Sequence, residues 1–433
     1  MIEKILELAR RAGASAEAFY SEGESRRADF DNNRLKYITT KSIRGVGLRV
    51  IRDGRIGFSS TTDLSRPERL VEHALESARY GQEAKFEFPA GVAPAAVPIF
   101  DRRVPDYPIE DGVRQASEAI EKVRAAAPRG QCSAEVSKHT GRQRLLNSAG
   151  LDVSFEFSRF TTGLGLLLVR DGSLLWTGDD NSSCAWFDRW DAYVGKVLSD
   201  VRCSEREIVP EPGVYPVVFT PDALDDALLE TFENGVNGKL VQKRISPLSG
   251  KIGQRITDAR FTLADDPTLD FAQGSAAVDC EGVAARRNVL IEAGVLKAFI
   301  YDLQTAGVLG EKSTGNGMRG FAGQPAPSTT NLVIDAGDTP VEKMIAGMER
   351  GLLVDQLIGA GQSNVLAGEF SVNVGLGFLV ERGEIVARVK DCMLAGNVFE
   401  VFNNIAALGS LAELKGDLKA PHVQFAGLSL ASG

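Results

Sequence analysis

The stretch VPEPGVYPVVF, residues 209–219, divides this chain of 433 residues into two parts. Two prolines and a glycine at 210–213 interrupt regular structure, and the apolar run at 215–219 is typical of a buried strand. We therefore predict an N-terminal domain over residues 1–208 and a C-terminal domain over residues 209–433. At roughly 150 residues per domain, a chain of this length favours two or three domains.

Both parts combine helix patterns with hairpin patterns. In the first part, apolar residues recur at helical spacing over 2–9, and Asp53-Gly54 separates two strand-like segments as a type I′ turn does. In the second part, Thr220-Pro221-Asp222 begins a helix that we place over 221–238, and Arg382-Gly383 separates two further strands. The predicted fold class is α+β, with a mixed helix and antiparallel-sheet domain followed by a domain dominated by antiparallel β-sheet.

Composition excludes several classes of partner. The 49 Lys and Arg residues against 58 Asp and Glu give a net charge of −9, which disfavours direct binding to nucleic acid because that binding needs a basic surface. We expect no membrane segment, since no run of about 18 uncharged apolar residues occurs. Five scattered cysteines without a CxxC pair suit a reducing compartment. These features predict a cytoplasmic protein.

The segment Gly315-Asn316-Gly317-Met318-Arg319-Gly320 matches the GxGxxG pattern of dinucleotide-binding folds. That pattern is informative only where it follows a strand and opens a helix. Neither flank fits, because polar residues precede the segment and Gly323-Gln324-Pro325 follows it closely. We therefore predict a flexible loop here and no cofactor site.

Other candidate sites also have simpler explanations. Three pairs of adjacent carboxylates could bind a divalent cation: Asp179-Asp180, Asp225-Asp226 and Asp265-Asp266. Each pair lies in a polar loop or at a helix start by our reading, where solvation or capping explains it. Cys184 beside Asp179 and Asp180, or Ser148 with His139, could form a nucleophilic set, but no GxSxG elbow surrounds any serine.

Short sequence segments along nearly the whole chain resemble those of the TldD/PmbA family. The longest are DCEGV at 279–283, LIEAGVLK at 290–297 and YDLQTA at 301–306. Shorter matches occur in the same order elsewhere, at 9–14, 147–150, 249–255, 313–317, 330–332, 381–385 and 395–397. This family, also called TldD/TldE, includes modulators of DNA gyrase and the subunits of a zinc-dependent peptidase. Its catalytic members carry HExxxH on a helix just before a GxxG turn, and a cysteine near the C-terminus is a further zinc ligand.

In this sequence the residues 235–238 match the turn, which places Leu229, Glu230 and Asn234 at the three motif positions. Leu229 has no lone pair, Asn234 has only a weak neutral oxygen, and no cysteine follows Cys392. The resemblance therefore implies a degenerate motif in which no residue is catalytic and no metal or other cofactor is bound. Glu230 keeps the position of the general base, although an exposed helical glutamate is its simplest interpretation.

The resemblance implies a PmbA/TldE-like subunit without metal, paired with a TldD-like subunit that carries the zinc. Such a heteromeric peptidase would process unfolded or leader-bearing peptides in the cytoplasm, and the isolated chain would be able to form a homodimer. Two alternatives stay open: a peptidase that acts alone with a different site, and a regulatory protein that binds gyrase or a toxin–antitoxin pair. A sheet edge would hold an extended peptide through main-chain hydrogen bonds, but the sequence does not identify the strand.

Overall fold

The structure is a computed structural model that describes residues 2–91, 93–170, 172–360 and 364–433. Its fold is α+β, as predicted, with two large sheets. One sheet is built from residues 15–183 and the other from residues 207–432. None of the helices in these described ranges is both long and apolar enough to cross a bilayer.

The first sheet is antiparallel throughout. Its strands are β1 (Ser15–Asp31), β2 (Arg34–Arg52), β3 (Arg55–Thr61), β4 (Gln131–Asn147), β5 (Asp152–Arg170) and β6 (Ser173–Ser183). Their order in the sheet is β3-β2-β1-β4-β5-β6. Asp53 and Gly54 both have positive φ in the turn between β2 and β3, as the predicted type I′ turn requires.

Five helices accompany the first sheet: α1 (Ile2–Arg11), α2 (Pro67–Ala78), α3 (Arg103–Asp106), α4 (Ile109–Ala126) and α5 (Trp190–Cys203). Ala16 and Ala18 of β1 share a core with α1 and α2, and Ala28 shares another with α4. Because side chains alternate along a strand, these residues lie on one face of β1. The other face carries Glu17 and Phe19, which are directed towards the second half of the chain.

The second sheet is mixed but mainly antiparallel. Its strands are β7 (Glu207–Ile208), β8 (Gly213–Phe219), β9 (Leu263–Asp265), β10 (Asn288–Glu292), β11 (Val295–Leu296), β14 (Leu332–Ile334), β15 (Arg350–Ile358), β16 (Glu369–Glu381), β17 (Glu384–Val389), β18 (Cys392–Asn397), β19 (Ile405–Lys415) and β20 (Leu418–Ser432). Two further strands, β12 (Gly317–Met318) and β13 (Ala326–Pro327), form a separate ribbon. The parallel pairings are β7 with β17, β8 with β15 and β14 with β20.

The helices of this half are α6 (Pro221–Ala227), α7 (Leu229–Val236), α8 (Gly238–Gln242), α9 (Leu303–Leu309), α10 (Val341–Ala346) and α11 (Val398–Phe402). An aromatic cluster fills the core between them and the sheet. In it, the ring of Phe402 lies 4.9 Å from that of Phe232, 4.8 Å from that of Phe261 and 5.1 Å from that of Phe425, measured between centroids. This cluster anchors α7 and α11 to the sheet.

A buried group of charges joins the two halves. Arg49 of β2 lies 3.0 Å from Glu17 and 2.6 Å from Glu281, and Arg319 lies 2.6 Å from the same oxygen of Glu17. All four side chains are buried. The Arg49 guanidinium also lies 4.7 Å from the ring centroid of Phe86. Since Glu17 and Arg49 belong to the first sheet and the other two residues to the second half, these ion pairs connect the halves directly.

Candidate functional site

The region predicted as one helix over 221–238 contains the two helices α6 and α7 and ends where α8 begins, so that prediction was wrong. Leu228 separates the first two with φ −112° and ψ −36°. Leu228 and Leu229 are both fully buried. Asp226 holds the end of α6, because its Oδ2 accepts the Leu357 amide hydrogen at 2.9 Å.

The three motif positions point in different directions. Leu229 is 0% exposed and belongs to the main apolar core of the second half. Glu230 is exposed. Asn234 is half-buried, and its Nδ2 donates to the Glu230 carbonyl oxygen at 3.0 Å. The first position is therefore part of the hydrocarbon core, and of the three only Glu230 presents an ionisable group to solvent.

The turn after α7 is held by neighbours on several sides. Asn237 caps α8 by accepting the Lys239 amide hydrogen at 3.0 Å, and its Nδ2 donates to the Pro327 carbonyl at 2.9 Å. A Cβ atom on Gly238 would lie 2.3 Å from the Tyr301 ring, so only glycine fits there. Ser246 Oγ donates to the Gly235 carbonyl at 2.6 Å. This part of the motif region is a packed structural element.

Glu233 lies near Glu230, and Asp225 lies near Glu233. Thr329 Oγ1 donates to Glu233 Oε1 at 2.6 Å, and burial raises the pKa of Glu233. Burial and the nearby carboxylates of Asp417 and Glu233 raise the pKa of Asp225 to about 6. Glu233 was not among the residues predicted for this site. Its i, i+3 spacing from Glu230 on one helix indicates that the two carboxylates lie close together.

The carboxylate pairs have structural partners. Lys415 Nζ lies 2.7 Å from both Asp179 and Asp222, which connects β6 to α6. The expectation of a solvated loop or helix start was wrong for Asp265, which is fully buried on β9. Its Oδ1 accepts the Thr330 amide hydrogen at 2.6 Å, which offsets part of the desolvation of the carboxylate. Asp265 therefore supports the fold.

The GxGxxG segment is not a flexible loop but part of the same buried network. Asn316 is fully buried, and its Nδ2 donates to Asp265 Oδ2 at 2.6 Å and to the Ser328 carbonyl at 3.0 Å. Thr314 Oγ1 donates to Asn316 Oδ1 at 2.7 Å. Gly317 begins β12, so no helix follows the glycines as a dinucleotide site requires. The polar residues Thr314 and Asn316 of this segment belong to a buried hydrogen-bond network.

The structure disfavours both candidate nucleophilic sets. His139 lies within β4 and Ser148 follows the end of that strand, about 30 Å away at roughly 3.3 Å per residue. Ser148 Oγ instead accepts the Ala16 amide hydrogen at 3.0 Å. The thiol of Cys184 is buried and donates to the Ala272 carbonyl, and burial raises its pKa. A raised pKa disfavours the thiolate that nucleophilic attack requires.

Comparison with known proteins decides the family. A family model described as the PmbA/TldA metallopeptidase C-terminal domain matches residues 212–432, and the model for domain 1 of the same metallopeptidases matches residues 16–78. The chain belongs to the PmbA/TldD metallopeptidase family. The resemblance predicted from the sequence is thereby confirmed.

Relatives of this family match along the full length. An uncharacterized protein of Methanocaldococcus jannaschii is 27% identical over 98% of this chain and 99% of its own length. Metalloprotease PmbA of Escherichia coli O157:H7 is 25% identical over 99% of this chain and 95% of its own. The crystal structure of TldE from Thermococcus kodakarensis has a TM-score of 0.91 at 24% identity and covers 99% of both chains. The fold is therefore shared from one end of the chain to the other.

The residues at the motif positions do not fit zinc, the metal that the resemblance implies for catalytic members. Zinc binds imidazole nitrogen, thiolate sulfur or carboxylate oxygen, whereas Leu229 has no donor atom and the Asn234 amide is engaged with the Glu230 carbonyl. Across the described ranges, no three His, Cys, Asp or Glu side chains are grouped so that they could hold a metal ion. That this chain binds no zinc stays a prediction.

Restoring the two histidines is expected not to restore zinc binding. In the variant Leu229→His/Asn234→His an imidazole replaces a fully buried leucine, which should lower the free energy of unfolding by about 2–5 kcal/mol, and a third strong ligand is still absent. Metal analysis after dialysis against zinc should give substoichiometric metal. Asn234→His alone is the control and should change stability by less than about 1 kcal/mol. Stoichiometric zinc in the double variant would contradict this account.

Proposed function

We propose that this chain is a TldE-like subunit without metal that pairs with a zinc-bearing, TldD-like metallopeptidase. The observation that carries the proposal is the complete burial of Leu229 at the position of a zinc ligand in the catalytic members. A side chain that is packed in the core cannot rotate towards a metal ion without exposing its own apolar surface to water. The similarity in fold to TldE of Thermococcus kodakarensis supports the same assignment.

In this proposal the two subunits have different tasks. The partner hydrolyses the peptide bond, and this chain completes the chamber and contributes surface that binds substrate. The substrates are unfolded or leader-bearing peptides of the cytoplasm. The face of α7 that carries the exposed Glu230 and the half-buried Glu233 is the surface that we place towards the chamber. Folded proteins would be excluded because only an extended chain could enter between two subunits.

Co-expression with a TldD-like chain tests the proposal. We expect the two chains to co-elute, zinc to be bound in proportion to the partner, and an unfolded peptide to be cleaved only by the complex and only without chelator. The isolated chain, whether monomer or homodimer, should contain substoichiometric zinc and cleave nothing. Turnover by the isolated chain, or stoichiometric zinc in it, would show that the assignment is wrong.

The two alternatives make different predictions in the same experiment. A peptidase acting alone would retain activity without the partner, and the distance between Ser148 and His139 and the buried thiol of Cys184 disfavour the nucleophilic sets considered above. A regulatory protein would instead co-elute with gyrase or with a toxin–antitoxin pair and not with a TldD-like chain. That regulatory role stays a prediction.

A further inference from the structure

One long edge of the first sheet has no partner strand among the described residues. Strand β2 pairs with β1 from Arg34 to Ile51, but on its other side β3 covers only Val46–Arg52. Residues 34–45, which we call the free edge, therefore present their outward amide and carbonyl groups without a neighbouring strand. Unpaired groups of this kind are a template for another extended chain.

The side chains of the free edge combine exposed apolar groups with positive charge. Four apolar side chains are 41–46% exposed: Leu35, Tyr37, Ile38 and Ile43. The same residues include four cations and no carboxylate: Arg34, Lys36, Lys41 and Arg44. The segment is therefore positive although the whole chain has a net charge of −9, and one of its cations is already paired, with Lys36 Nζ 2.9 Å from Asp31 Oδ2. Lysines alone often protect an edge strand, but here exposed apolar residues lie among them.

A second copy of this chain is a poor partner for the free edge. A symmetric antiparallel pair centred on Thr39 would place Arg34 opposite Arg44. The next register would place Lys36 opposite Lys41. Like charges directly opposite each other on paired strands are destabilising. The charge therefore favours a strand of different sequence that carries carboxylates.

A peptide fits the free edge better than a whole subunit does. A stable interface between proteins takes about 800 Å² from each partner, whereas an extended peptide needs only a line of main-chain donors and acceptors. The free edge supplies such a line, and main-chain bonds do not depend on the peptide's sequence. The cations then add a preference for acidic segments.

We propose that the free edge binds an extended, acidic segment of the peptide substrate by adding it to the sheet as a further strand. This inference rests on the proposed function, in which the substrate is an unfolded peptide. Lys41 lies on the same face of β2 as Tyr37 and Ile43, and Lys36 reaches Asp31 on that face, whereas Leu35 and Ile38 lie on the other face. Carboxylates of a segment that alternates charged and apolar residues would therefore lie beside Lys36 and Lys41, and its apolar side chains would cover Leu35 and Ile38. The strand addition is non-covalent, and hydrolysis is left to the partner.

Fluorescence anisotropy on the isolated full chain tests the proposal. The probe is a labelled, end-capped peptide that alternates glutamate and valine, and the comparison peptides carry lysine for glutamate or N-methyl groups along the main chain. We expect the glutamate peptide to bind and the other two to bind at least about tenfold more weakly. In the variant Lys36→Glu/Lys41→Glu the preference should reverse towards the lysine peptide. Lys312→Glu, an exposed change elsewhere, is the matched control and should leave binding unchanged.

Hydrogen exchange locates the bound peptide. Amides within 34–45 should exchange more slowly with the glutamate peptide present, and circular dichroism should confirm that the variants fold. Equal binding of all peptides, no binding, or protection of 34–45 by a TldD-like partner and not by peptide would each overturn the inference. The peptide-binding measurements need no partner, so their failure is distinct from failure of the two chains to co-elute, which would overturn the proposed function.

Discussion

Replacing Arg49 by methionine should lower the free energy of unfolding by about 3–5 kcal/mol. Arg49 lies between the buried carboxylates of Glu17 and Glu281, at 3.0 Å and 2.6 Å. Without the guanidinium, Glu281 loses its ion pair in a place that water does not reach, while Glu17 keeps only Arg319. The cost of an uncompensated buried charge exceeds the value of any exposed ion pair. Urea titration followed by circular dichroism and tryptophan fluorescence measures the effect.

Two variants check the cause of that loss. Arg114→Met removes an exposed arginine that lies 3.3 Å from both Asp111 and Glu118, and it should cost less than about 1 kcal/mol. Arg49→Met/Glu281→Gln removes the orphaned charge while keeping an acceptor for the Leu303 amide, and it should recover part of the stability. If Arg49→Met costs no more than Arg114→Met, the buried ion pairs do not hold the two halves together.

Phe232→Ala should also lower the free energy of unfolding by about 3–5 kcal/mol. The ring is fully buried on the inner face of α7, with centroids of Phe402, Phe261 and Phe399 at 4.9, 5.4 and 5.7 Å. Its removal leaves a cavity among rings that cannot collapse without moving several elements. Thermal and urea denaturation measure the loss.

The same variant tests the link between core packing and the candidate site. Glu230 and Glu233 lie on the helix that Phe232 anchors, so their positions depend on this ring. Binding to a TldD-like partner should weaken in Phe232→Ala at temperatures where the chain remains folded. Tyr80→Ala is the control, since Tyr80 is 88% exposed and its loss should change stability by less than about 0.5 kcal/mol. Equal stability of the two variants would show that the aromatic cluster does not anchor α7.

Local sequence signals predicted local structure well. The turn predicted at Asp53-Gly54 appears in the structure between β2 and β3, and the apolar run at 215–219 lies within β8. Positive φ at a turn and alternation along a strand depend only on neighbouring residues, so they can be read directly. The prediction of a single helix over 221–238 was wrong, because the structure breaks it at Leu228. No glycine or proline lies at that position to signal a helix end.

In the candidate site, too, some features follow from residue type alone and others from tertiary contacts. Leu229 and Asn234 lack zinc-binding donors by their covalent chemistry, and this could be read from the sequence once the motif was placed. The role of Asp265 could not be predicted from the sequence, because its partners Asn316 and Thr330 lie far along the chain. Desolvated carboxylates and amides are matched by hydrogen bonds that only folding brings together.

The sequence by itself determined the family, the α+β class and the missing donor atoms, since these follow from residue types and short-range order. Only the tertiary structure decided that Leu229 lies in the core, that Arg49 connects the two halves, and that residues 34–45 form an unpaired edge. The physical reason is that burial, ion pairing and strand pairing are properties of surfaces that meet, and the surfaces here come from residues separated by tens to hundreds of positions.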